Sequence, residues 1–123
     1  MQKLTQVLLV ALVLGGLLVV YFTKQEETFQ GSETIVQMNE EGFLPSEFII
    51  RPGDRVIFIN VSTSTEYWPA SDLHPTHELY SAFDPLKPII PGESWSFIFE
   101  RSGTWRFHDH LHPNKRGVLI VEP

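Results

Sequence analysis

Gly103–Val121 reads GTWRFHDHLHPNKRGVLIV. In its first half Trp105 and Phe107 share one phase, while Thr104, Arg106 and His108 share the other. A period of two places the aromatics on one face of a strand and the polar side chains on the opposite face. Gly117–Val121 is a second strand-like run, separated from the first by the polar, proline-bearing HDHLHPNKR. Immediately upstream, Trp95, Phe97 and Phe99 alternate with Ser94, Ser96, Ile98 and Glu100. Two neighbouring aromatic stripes of this kind are the inner faces of a packed sheet rather than a ligand groove.

Further upstream the same pattern recurs at Glu33–Asn39, Ser46–Arg51 and Arg55–Val61. Arg51, Pro52, Gly53 and Asp54 mark one hairpin-like break and Pro91, Gly92 and Glu93 another, since Pro and Gly supply the backbone angles that turns require. Short strands at this spacing predict an all-β, antiparallel sandwich. No period survives between Glu66 and Pro91, an interval that holds Pro69, Pro75, Pro85 and Pro88 together with His74 and His77. A loop of that length in a small domain is commonly functional, with room for a helical turn near Leu79–Phe83.

At the other end of the chain, LTQVLLVALVLGGLLVVYFT (Leu4–Thr23) is uncharged and almost wholly apolar. About 20 such residues, rising about 1.5 Å each, span a bilayer core as one helix. Lys3 precedes the run, and Lys24 is followed by Glu26 and Glu27, which keeps the N-terminus in the cytoplasm and the remainder outside. A cleaved signal peptide is the competing reading, but no small-x-small site follows Tyr21 and Phe22. The expected organisation is an anchor over 1–23 (signal-anchor), a polar tether over 24–33 and a single domain over 34–123.

The formal net charge is −6, and only Lys3 among the charged residues falls in the first 23 positions, leaving −7 for the rest. A surface this acidic repels phosphate backbones and anionic headgroups, which excludes nucleic acid and polybasic lipid contact as expected partners. The absence of Cys rules out disulfides, thiolate metal sites and cysteine nucleophiles.

Together with the GFLP of Gly42–Pro45, the turn Pro52–Asp54 and the run Phe58–Asn60, the C-terminal stretch resembles the cupredoxin family, in a scaffold of amicyanin and plastocyanin type. Its members carry a Gly-x-Tyr-x-Tyr/Phe-x-Cys strand and then Cys-x-x-His-Pro-x-Met-Arg-Gly, whose thiolate, imidazole and thioether bind copper. Here the Cys position is Asp109, the His position His112 and the Met position Lys115, and the first family His falls near Tyr67 or Trp68. The resemblance implies a cupredoxin-like Greek-key β-sandwich, preceded by the transmembrane helix. A type 1 blue-copper centre is excluded, because it needs a Cys thiolate. WPASDLHPTH (Trp68–His77) with His108, Asp109 and His110 is also similar to a cysteine-free subgroup of cupredoxin-like proteins, which suggests copper without fixing the ligands.

All five His lie between His74 and His112, in the clusters HPTH and HDHLH. Imidazole binds Cu(II), Zn(II) and Ni(II), and nitrogen donors rank copper first among divalent ions. His108 and His110, two apart on a strand, project to one side, and a turn can aim His74 and His77 together. The expected metal site is formed by His74, His77, His108 and His110, with His112 or Asp109 as alternate ligands and with Asp72 and Asp109 as carboxylates orienting the rings. Asp109 takes the inward phase of its strand, so His108 and His110 point outward unless the strand bends. Against this stands a rim of polar His hydrogen-bonded to Asp72 or Asp84. No catalytic residue is assigned. The functional expectation is a membrane-anchored protein outside the cytoplasm that binds or delivers a metal ion, copper above Zn or Ni. A type 2 copper redox protein and a metal-free interaction module are the alternatives.

Overall fold

The computed structural model describes residues 5–13, 16–24 and 28–123, the first two stretches as backbone only. It divides into two compact units, Met1–Gln30 and Gly31–Pro123. In the first, β1 (Thr5–Val13) and β2 (Gly16–Lys24) pair antiparallel from Thr5↔Lys24 to Val13↔Gly16. This differs from the single helix expected over Leu4–Thr23, and no helix among the described residues is long and apolar enough to cross a membrane. An apolar run without polar punctuation has no period that separates helix from strand. This run carries Val7, Val10, Val13, Val19 and Val20, whose β-branched side chains favour strands. The parts of the anchor and tether at 1–4, 14–15 and 25–27 lie outside the described residues.

The second unit is an all-β sandwich of two four-stranded sheets. One contains β4 (Gly42–Leu44), β3 (Glu33–Asn39), β6 (Asp54–Asn60) and β8 (Ser94–Phe99), in that spatial order. The other contains β5 (Glu47–Ile50), β10 (His112–Val121), β9 (Gly103–Asp109) and β7 (Pro69–Ser71). The sandwich is mixed rather than antiparallel throughout, since β3 runs parallel to β6 and β5 parallel to β10. The turn at 51–54 is not a hairpin either: β5 and β6 belong to different sheets, so the chain crosses the sandwich there.

The aromatic stripes meet in the core as their period requires. Phe58 stacks on Phe83 at 5.5 Å and on Trp95 at 6.0 Å, and meets Phe107 edge-on at 5.8 Å. Offset and edge-to-face contacts of this kind add to the gain from removing apolar area from water. Gly117, opposite Phe107 in the β9–β10 ladder, leaves room for that ring. A Cβ there would stand 2.2 Å from Phe107 Cζ, so the ring occupies the space that any side chain on residue 117 would need.

Phe83 comes from the aperiodic interval, and its full burial explains how that long segment is held. Its carbonyl accepts the Ser71 N–H at 3.0 Å, and Tyr80 packs edge-on against Trp105 at 4.8 Å. The helical turn expected nearby is one turn of 3-10 helix, Glu78–Tyr80. Buried Asn60 fixes the start of the interval. Its Nδ2 donates to the carbonyls of Thr65 and Ile89 at 2.7 and 2.9 Å, and its Oδ1 accepts from the Ser62 N–H and hydroxyl. A buried amide satisfied on both ends holds the loop instead of costing stability.

Candidate metal centre

Strand β9 turns Phe107 and Asp109 into the sandwich and His108 to the opposite face. His108 nevertheless has 0% exposure, because Asp72, His74 and His77 lie against its ring. The path of the segment from Asp72 to Asp84 is set by its own hydrogen bonds. The His77 N–H donates to the Leu73 carbonyl at 2.6 Å, the Leu79 N–H to the Asp72 carbonyl at 2.9 Å, and the Tyr80 N–H to Ser71 Oγ at 2.8 Å. His77 has φ 55° and ψ 28°, a left-handed conformation that His tolerates better than most side chains. That backbone aims its ring back toward β9.

His74, His77, His108 and His110 thereby converge, each offering a ring nitrogen within 4.8 Å of the other three. His74 Nδ1 lies 3.2 Å from His108 Nε2, and His77 Nε2 lies 3.0 Å from His110 Nδ1. The loop answers the outward phase of His108 and His110 by bringing His74 and His77 to them.

Two carboxylates fix two of the rings. His108 Nδ1–H donates to Asp72 Oδ1 at 2.8 Å, and His77 Nδ1–H donates to Asp84 Oδ2 at 2.7 Å. An ionised carboxylate only accepts, so each of these rings carries its proton on Nδ1 and turns the Nε2 lone pair to the centre. Both carboxylates are braced in turn. Asp72 Oδ2 accepts from Arg116 at 3.0 Å, and Asp84 Oδ1 accepts from Trp68 Nε1 at 2.7 Å and from the Leu86 N–H at 2.8 Å.

Electrostatics keep His108 and His110 available as donors. Burial holds the pKa of His108 below the ordinary imidazole value despite Asp72, and burial with the neighbouring His77 and His74 lowers that of His110. Burial by itself raises the Asp84 carboxyl, but its hydrogen bonds from His77, Leu86 and Trp68 outweigh this and leave it below the usual carboxylate value. Neutral imidazoles beside ionised carboxylates are the protonation states a cation needs.

The remaining expected residues sit elsewhere. Asp109 is fully buried and accepts from the Trp68 N–H at 2.8 Å, the Leu111 N–H at 3.1 Å and His112 Nδ1 at 2.6 Å. His112 therefore belongs to a hydrogen-bonded knot with Asp109, outside the four-His group, and Asp109 orients none of those four rings. Lys115 donates to the Glu40 carbonyl. Where the resemblance places a copper thiolate and thioether, this chain has a carboxylate and an ammonium group engaged in hydrogen bonds. Asp84 was expected only as a partner in a rim of polar His, yet it holds His77 as Asp72 holds His108. Trp68 and Tyr80 anchor the loop, Trp68 through Asp84 and through a ring contact with His110 at 4.7 Å.

The donor set suits a metal. Four imidazole nitrogens drawn from a loop and a strand end can enclose one ion, and Asp72 and Asp84 supply negative charge around a divalent cation. No protein-family model and no curated protein matches the chain. Solved structures do. The oxidised form of a methionine-to-leucine mutant of amicyanin superposes with a TM-score of 0.62 at 20% identity, over 72% of this chain and 80% of that one. The reduced form of a tryptophan-to-tyrosine mutant of amicyanin gives 0.62 at 22% identity, over 78% and 87%, and a reduced proline-to-phenylalanine mutant gives 0.61 at 19%, over 79% and 87%. The domain has an amicyanin-like cupredoxin fold, with no cysteine and with a four-histidine cluster.

Proposed function

We propose that this chain is a metal-binding protein of the extracytoplasmic face of a membrane, which takes a divalent ion, copper in preference to zinc or nickel, for acquisition, buffering or delivery. The ligands are His74 Nδ1, His77 Nε2, His108 Nε2 and His110 Nδ1. The observation that carries this reading is the convergence of one ring nitrogen from each of the four His within 4.8 Å, with the His77 and His108 rings aimed by carboxylates. An all-nitrogen donor set ranks divalent ions with copper at the top. Fixed rings also reduce the ordering cost of binding, because their orientation is set before the ion arrives.

The apolar segment Leu4–Thr23 supports attachment to a membrane, and the placement of Lys3 before it supports an exported domain. Calorimetric titration of Cu(II) into the wild-type chain and into a His77→Ala, His110→Ala double variant tests the site. Binding of about one ion by the wild type and its loss in the variant are expected. Equal affinities would remove the assignment.

A further inference from the structure

The four rings are not held alike. His77 and His108 are buried, and each is tied to a carboxylate. His110 is half-buried, with its own N–H donating to the Trp68 carbonyl at 2.7 Å and its ring against the Trp68 indole. His74 differs on every count. It is exposed, as are Leu73, Pro75 and Thr76 around it, and among the described residues its one hydrogen-bonding ring contact is to another of the four, His108 Nε2. It rides on a short exposed loop closed at its base by the bond from the His77 N–H to the Leu73 carbonyl.

We infer that His74 is the exchangeable ligand: His77, His108 and His110 form a fixed platform for the ion, and His74 leaves it to open one coordination position to an external neutral donor of imidazole type. The inference rests on the metal-site reading above. In the exchange the bond from the metal to His74 Nδ1 breaks and a bond from the metal to the incoming nitrogen forms, without change of oxidation state. The departing ring moves to solvent, where its lone pair is hydrated at little cost, whereas withdrawing His77 or His108 would break its hydrogen bond to Asp84 or Asp72. The site can therefore pass through a three-ligand state with its open position facing outward, as transfer to an acceptor requires.

The test uses the full chain loaded with Cu(II), in wild type, His74→Ala and His108→Ala forms, with circular dichroism to establish that each metal-free variant is folded. His74→Ala is expected to retain one Cu(II) per chain and to release it to EDTA at least about tenfold faster than the wild type. Added imidazole should bind the His74→Ala complex and return its electron paramagnetic resonance spectrum toward that of the wild type, while His108→Ala retains no copper. Loss of all copper from folded His74→Ala, or release from it at the wild-type rate, would overturn the inference and leave the metal-site reading standing. A wild type that binds no copper would overturn both.

Discussion

Asp72 joins His108 to Arg116, with Oδ1 2.8 Å from the imidazole Nδ1 and Oδ2 3.0 Å from the guanidinium. The carboxylate thus orients the most deeply buried ring of the cluster while a cation on β10 holds it in place. Asp72→Asn preserves the shape and removes the charge. Cu(II) affinity is expected to fall about 10–100-fold, the usual effect of removing a partner of a metal ligand, with the far-ultraviolet circular dichroism unchanged. Calorimetry on the two chains measures it, and unchanged affinity would show that Asp72 does not tune the site.

Gly117→Ala is expected to destabilise the domain without altering the metal donors. The new Cβ would stand 2.2 to 2.7 Å from three atoms of the Phe107 ring, and that ring is buried against Phe43 and Phe58. Overpacking of this kind costs about 1–3 kcal/mol. Urea unfolding of the metal-free chain should show the lower midpoint, and an unshifted midpoint would mean that Phe107 has room to move aside.

The sandwich was legible because its strands obey a strict period. Glu33–Asn39 has the bounds its alternation gave, and Trp95, Phe97, Phe99, Trp105 and Phe107 all pack in or against the core. Strands β4 and β7 have three residues each, too few to show a period, and parallel pairing leaves no trace in local sequence. At the site, HDHLH puts His108 and His110 on one side and offers His112 as an alternate ligand. The chain instead turns after Asp109, and His112 falls opposite Asp109 in the β9–β10 ladder, so it meets that carboxylate and not the other rings. Asp84 lies seven residues from His77, a distance that only the folded loop brings within reach. The signal that could have found it is an acidic residue inside the same loop as a His-x-x-His pair.

Colour distinguishes the donor sets. With no cysteine in the chain, a bound Cu(II) should give only the weak absorption of a nitrogen-coordinated ion, since the intense blue band belongs to thiolate ligation. Visible spectra of the copper-loaded chain check this, and an intense band near the blue-copper region would contradict the four-imidazole centre.

Acid should weaken the metal-free fold and the loaded site by related routes. The pKa values of His108 and His110 lie below 6.5 in the folded chain, so as pH falls through about 6.5 the unfolded chain takes up protons that the folded one does not. Stability therefore declines from about pH 6.5 down to the depressed folded values. Asp84, lowered from 3.8, acts in the same direction at lower pH: its contribution is present above the unfolded value and is lost as pH falls through the folded one. Urea midpoints of the metal-free chain should fall steadily between about pH 7 and about pH 5. A proton reaches the His108 and His110 nitrogens less readily than an ordinary imidazole, so these two resist proton competition for the ion below the usual imidazole range near about 6.5. His108→Gln removes one depressed group and should flatten the stability slope of the metal-free chain, and an unchanged slope would show that burial of His108 does not set it.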